Sequence, residues 1–122
     1  MADAIDVAID KERRFIRECI AGEVSEDDAR TVEGLTAQEV PKLEDPSCVR
    51  ILIDGRKFGF ASTKARRIFS KNLKREDLGK IAFWGTRGRI ASTLLFFASV
   101  FSNGKMRLFS SEDEAIGWLM RK

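Results

Sequence analysis

Residues 49–54, Val-Arg-Ile-Leu-Ile-Asp, constrain the fold more than any other stretch of the chain. Branched apolar residues in a nearly unbroken run mark a strand covered on both faces, whereas a half-exposed strand alternates apolar with polar residues. Strands of that kind sit in sheets reached by strand–helix–strand crossovers. Helical segments are therefore expected on both sides of it in the sequence.

The neighbouring segments fit that expectation. Ile5, Val7 and Ile9 alternate with Asp6 and Ala8, and after the polar turn at 10–13 the apolar pattern resumes at Phe15 and runs through residues 16–21. This reads as a β-hairpin with one strand at a sheet edge. Gly22 breaks the run, and Ser25 with Asp28 marks a helix start with acidic residues in its first turn. Val32, Leu35 and Val40 supply its inner stripe, and Pro41 and Pro46 bracket its exit. Beyond the central strand, residues 55–61 read as a turn into a basic helix that begins at Ser62 and Thr63 and turns Ala65, Ile68, Phe69 and Leu73 inward. Residues 80–84 form the next strand, 85–89 lead into an apolar helix over 90–101, and Asn103-Gly104 ends it. Residues 106–109 are the last strand, and Ser111 and Glu114, spaced as a capping box, open a final helix.

The order ββαβαβαβα predicts one α/β domain over residues 1–122 with a mostly parallel five-stranded sheet and an antiparallel first strand. Ligands of such sheets favour the carboxyl ends of the strands. That rim comprises residues 54–63, 85–89 and 109–111.

Composition narrows the chemistry. The chain has no histidine, so Ser-His and Cys-His dyads and the commonest metal ligand are absent. Cys19 and Cys48, each in or beside an apolar run, read as free structural thiols. No catalytic constellation and no metal-ligand spacing emerges, and no cofactor is expected. Asp54 and Asp10 are the carboxylates an enzymatic reading would have to use. The amino terminus lacks the basic and apolar regions of a secretory signal. The apolar stretch at 90–101 is interrupted by Ser92, Thr93 and Ser99 and falls short of the ~20 residues that span a bilayer. A cytoplasmic protein without an integral membrane segment is expected.

Charge is unevenly placed: residues 1–60 hold 9 Lys/Arg against 14 Asp/Glu, and residues 61–122 hold 13 against 5. Lys64, Arg66, Arg67, Lys71, Lys74 and Arg75 form a basic run, but no nucleic-acid motif accompanies it, and it reads as a solvated face. The segment Gly85-Thr86-Arg87-Gly88-Arg89 joins a strand to a helix. It reads either as an ordinary turn with Thr86 as helix cap or as an anion-binding nest in which the arginines fork onto phosphate or carboxylate. The helix over 90–101 is apolar around more of its circumference than a one-sided helix needs. It is either deeply buried or presents Phe96, Phe97 and Phe101 to a second copy or to an apolar ligand.

The hairpin ending in Gly22, the strands at 51–54 and 80–83, and the closing Arg107-Leu108-Phe109 with Glu114-Ala115-Ile116-Gly117-Trp118-Leu119 together resemble the bacterial SpoIIAA-like proteins. These belong to the broader STAS group, whose fold is similar to that of CRAL-TRIO lipid-binding domains. The resemblance implies a non-enzymatic module that works through protein contacts, with a homodimer or a regulatory partner. It also implies a phosphoacceptor at the start of the helix after the central strand. The matching positions, Ala61-Ser62-Thr63-Lys64, lack the acidic residue and the glycine of the family's motif and leave Ser62 and Thr63 as its hydroxyls. The alternative is a carrier or sensor of a small apolar or anionic ligand. A fully packed core beside residues 90–101 favours the first reading, and a roomy apolar cavity there favours the second.

Overall fold

The computed structural model describes residues 2–121. The hairpin is β1 (Ala4–Ile9) and β2 (Ile16–Val24), paired antiparallel from Ala4 opposite Ala21 to Ile9 opposite Ile16. Its turn is tied by Asp10, whose Oδ1 accepts hydrogen bonds from the amides of Arg14 at 2.7 Å and Phe15 at 3.3 Å. The chain continues through α1 (Glu26–Glu39), β3 (Val49–Asp54), β4 (Phe58–Ala61), α2 (Thr63–Asn72), β5 (Leu78–Trp84), α3 (Gly88–Phe101), β6 (Met106–Phe109) and α4 (Glu112–Leu119).

The sheet runs β1-β2-β3-β5-β6, and every pairing after the hairpin is parallel. From β2 onward each new strand is added on the same side of its predecessor. Right-handed crossovers in a constant direction must all lie over one face. Ala29 and Val32 of α1, Ala65 of α2 and Ala98 of α3 accordingly share one core cluster with Ile16, Ile20, Ile51, Ile53 and Phe83. The opposite face is covered by α4, whose Ala115, Trp118 and Leu119 pack on Phe15, Leu52 and Ala82. Strand β3 feeds both layers, with Ile51 and Ile53 on one side and Leu52 on the other, as its unbroken apolar run requires.

The five strands expected from the sequence are joined by a sixth. Residues 58–61, read above as part of a turn, form β4 and pair in parallel with the far end of β2, Gly22 opposite Phe58 and Val24 opposite Ala61. The cause is a difference in length. Pairing with β3 ends at Cys19 opposite Asp54, whereas β2 runs on to Val24 and leaves amides and carbonyls unpaired along that edge. Phe58, 8% exposed, anchors the added strand in the core. Gly59 lets it approach, because a Cβ there would stand 2.8 Å from the backbone of Gly22.

A full capping box forms at α1, where the Ser25 hydroxyl accepts from the Asp28 amide at 3.2 Å and the Asp28 carboxylate accepts from the Ser25 amide at 2.9 Å. The box expected at α4 forms only in part. Ser111 Oγ accepts from the Glu114 amide at 3.3 Å, but the Glu114 carboxylate turns to the hydroxyls of Ser110 and Ser111 rather than to a backbone amide.

Candidate functional site

At the carboxyl rim, Asp54 at the end of β3 accepts from the backbone amide of Arg56 at 3.1 Å and from its guanidinium at 3.1 and 2.8 Å. Those hydrogen bonds hold the Asp54 carboxyl below the usual carboxylate range, against a smaller opposing effect of burial. The guanidinium stacks 4.6 Å from the Trp84 ring centre. Gly85, at φ +86°, lies where a Cβ would meet Arg56 Cγ at 2.5 Å. Asp54 is thus committed to a local clamp, and Asp10 to its hairpin turn.

Ser62 is the N-cap of α2, its Oγ accepting from the Ala65 amide at 3.1 Å. Thr63 opens the helix, and its Oγ1 accepts from Arg66 Nη2 at 3.2 Å. Both hydroxyl residues are exposed. In the 85–89 segment the cap of α3 is Arg87, without a side-chain hydrogen bond, and not Thr86 as the turn reading has it. The Thr86 methyl instead lies against Gly55, 2.6 Å from where a Cβ would stand. Arg87, Gly88 and Arg89 are exposed, and neither arginine makes an ion pair among the described residues.

Helix α3 divides the three phenylalanines that the sequence groups together. Phe96 and Phe101 point outward, 67% and 42% exposed, beside Leu95 and Val100. Phe97 is half-buried and rests on Phe101 with ring centres 5.0 Å apart. A shallow groove between α2 and α3 has Arg66, Arg67, Lys71 and Lys74 along one wall and Phe96, Phe97 and Phe101 along the other. Of α3's side chains only Ala98 is fully buried.

Between the sheet and helices α1 to α3 lies a cavity of about 420 Å³. Its walls are Ile20, Ile51, Ile53 and Phe83 from the sheet, Val32 and Thr36 from α1, Phe69 from α2, and Ile90, Leu94 and Phe97 from α3. It reaches the surface beside Phe60, which is 48% exposed, and beside the exposed Arg66 and Arg75.

One charged side chain sits deep in this apolar wall. Glu18, 5% exposed, lies on β2 between Ile16 and Ile20, and its Oε2 accepts a 2.7 Å hydrogen bond from Thr36 Oγ1. Burial pushes its carboxyl up to about 7, and the hydrogen bond from Thr36 only partly opposes that rise. The sequence reading passed over both residues. The signal was present, since strict alternation through Ile16-Arg17-Glu18-Cys19-Ile20 puts Glu18 on the face of the two isoleucines.

The two cysteines are free. The Cys19 thiol lies 4.0 Å from Asp54 Oδ2 and is pushed up by burial and by that carboxylate. No group of three or more His, Cys, Asp or Glu among the described residues is arranged to hold a metal ion. No helix among them is long and apolar enough to cross a membrane.

Comparison with known proteins places this geometry. A protein of Shewanella loihica from the DUF3478 family, described as having a SpoIIAA-like fold, superposes with a TM-score of 0.71 at 19% identity, covering 98% of this chain and 95% of that one. The anti-sigma factor antagonist SpoIIAA in its unphosphorylated form matches with a TM-score of 0.62 at 12% identity, covering 94% of this chain and 96% of that one. The Bacillus cell fate determinant SpoIIAA in its phosphorylated form gives 0.53 at 13% identity, over 94% and 98%. No curated protein sequence matches significantly. These likenesses are of fold. The family model for SpoIIAA-like proteins matches residues 16–120, from the first residue of β2 to just past α4. By that match, over nearly the whole layered body, the chain belongs to the SpoIIAA-like family.

Proposed function

We infer that this protein is a non-enzymatic binding module, a carrier or sensor that takes a small, largely apolar ligand into the cavity between the sheet and helices α1 to α3. The cavity carries the reading. Protein interiors pack to the density of organic crystals and leave few voids larger than a water molecule. A space of about 420 Å³ lies instead within the ~300–1,000 Å³ range of small-molecule sites. Apolar wall left open in such a space is unfavourable, and a ligand that covers it adds stability to the folded state.

The test is a titration with the neutral fluorescent probe N-phenyl-1-naphthylamine. Saturable one-to-one binding is expected. Filling the cavity by Ile81→Trp or Leu94→Trp should weaken it at least tenfold while the thermal midpoint holds. Absence of binding by the wild type, or equal binding by well-folded filled variants, refutes the reading.

A second reading, regulation through protein contacts in the cytoplasm, draws on the outer face of α3, where Leu95, Phe96, Val100 and Phe101 are exposed together. It also draws on the structural neighbour SpoIIAA, described as an anti-sigma factor antagonist with phosphorylated and unphosphorylated forms. In this reading Ser62 or Thr63 accepts phosphate beside Arg66, residues 85–89 bind an anionic group, and Phe96 and Phe101 meet a protein partner or a second copy. Native mass spectrometry of protein from its own cell reads phosphate, ligand and oligomer in one measurement. Unmodified monomers without a partner count against this second role.

A further inference from the structure

Glu18 is the one acid that faces the cavity from the middle of the sheet. Its Oε2 is occupied by the Thr36 hydroxyl, while Oε1 has no hydrogen-bond partner among the described residues. No cation of the described chain forms an ion pair with it. The other charged groups along the cavity are Glu33 on α1, Arg66 on α2, and Arg75 and Asp77 between α2 and β5. Arg75 is held by Asp77 through hydrogen bonds of 3.0 and 2.9 Å, and Arg66 donates to Thr63. Oε1 is not sealed away from solvent, so the partner it lacks within the chain is one that enters the cavity, water or a ligand group.

We propose that Glu18 and Thr36 form a polar anchor for the head group of the cavity's ligand, and that this ligand is an uncharged amphiphile, an apolar chain or ring bearing a hydroxyl. The proposal rests on the cavity reading above and specifies its ligand class. With Thr36 donating to Oε2, Oε1 is the oxygen left to meet a ligand. It donates when the acid is protonated and accepts when it is ionised. A hydroxyl is both donor and acceptor and satisfies either state. A carboxylate or phosphate head placed against Glu18 would meet like charge whenever that acid is ionised, although Arg66, which makes no ion pair among the described residues, is an exposed cation of the cavity lining. An ammonium head would bury an ion pair, whose desolvation commonly exceeds the Coulomb gain. Because burial brings the Glu18 carboxyl to about 7, both of its forms are populated near neutral pH, and only a head that suits both binds evenly across that range.

The experiment displaces N-phenyl-1-naphthylamine from the whole protein with 1-decanol, decylamine or decanoate between pH 5.5 and 8.5. It uses the wild type, Glu18→Leu and Glu18→Gln. Decanol is expected to compete best, with an affinity that changes less than about threefold over the pH range. Glu18→Leu, which removes a buried carboxyl, should keep its affinity for the probe and lose roughly three- to tenfold for decanol, the worth of one hydrogen bond. Glu18→Gln should retain decanol within about threefold. Equal decanol affinity in the wild type and Glu18→Leu, with probe binding intact, overturns the anchor and leaves the cavity reading standing. Preference for decylamine at pH 8.5 or for decanoate at pH 5.5 overturns the uncharged class. Failure of the wild type to bind the probe sinks the cavity reading itself.

Discussion

Replacing Glu18 by glutamine should change how stability depends on pH, and burial of the carboxyl sets the sign of the change and the order of its size. In the folded protein the Glu18 carboxyl lies near 7, and in the unfolded chain it returns to its ordinary 4.5. Between those values the folded state holds a proton that the unfolded state has released, so stability falls as pH rises. The loss is complete above the folded value. At 1.36 kcal/mol for each pH unit of that separation, the wild type gives up about 3 kcal/mol between pH 4.5 and 8 on account of this one group. Glu18→Gln retains an oxygen to accept the Thr36 hydroxyl and cannot ionise. It should match the wild type within about 1 kcal/mol at pH 4.5 and exceed it by about 3 kcal/mol at pH 8.5. Asp28, Asp54 and Asp77 are shifted downward by hydrogen bonds, so their contributions are lost only at more acid pH and cancel between the two proteins in this window. Urea unfolding at pH 4.5, 5.5, 6.5, 7.5 and 8.5 measures the difference, with equal slopes in both proteins confirming a like-for-like comparison. A stability difference that stays flat from pH 4.5 to 8.5 would show that Glu18 is solvated or paired in the folded state, and the buried-carboxyl argument would fail.

Two further substitutions probe the frame around the cavity. Ser25→Ala removes both the cap on the Asp28 amide and a hydroxyl that donates to the Asp28 carboxylate at 2.9 Å, and should lower urea stability by about 1 kcal/mol at neutral pH. Gly59→Ala places a Cβ 2.8 Å from the Gly22 backbone, which cannot swing aside as a side chain would. It should cost about 1–3 kcal/mol and increase amide exchange along residues 58–61, whereas protected exchange there would mean that β4 approaches β2 less closely than the contact implies.

The layered body was legible because it depends on patterns that one strand or one helix states for itself. The unbroken run at 49–54 announced two covered faces, and Ser25, Ser62 and Ser111 each sit at a helix N-cap where the sequence put them. Strand β4 was hidden because four residues carry little periodicity, and its existence depends on β2 outrunning β3, a relation between two strands distant in sequence. The cap of α3 was misplaced by one residue because Thr86, a good capping residue by type, is drawn away into contact with Gly55. The cavity is legible only in three dimensions. A helix reading of 90–101 shows an apolar surface all round, yet it cannot show that Ala98 is buried and Ile90, Leu94 and Phe97 are partly buried against the core while Phe96 and Phe101 face outward.

The place of the cavity follows from the direction in which the sheet grows. Since every crossover from β2 to β6 advances the same way, three helices crowd one face and a single helix serves the other. On the single-helix side the large side chains Trp118, Leu119, Phe15 and Leu52 meet directly and fill the layer. On the crowded side the residues fully buried from α2 and α3 are alanines, Ala65 and Ala98, facing isoleucines of β2 and β3. The gap lies beside these contacts, between the sheet and the side chains of Val32, Phe69, Ile90, Leu94 and Phe97 from the three helices. The gap opens beside the one carboxyl of that face, supported by a threonine from the first of the three helices. A packing defect alone would be expected to be lined by apolar atoms throughout. In the proposed reading the anchored acid serves an occupant of the cavity, and for that reason the pH response of Glu18 and the displacement of a bound probe test the same physical feature from two sides.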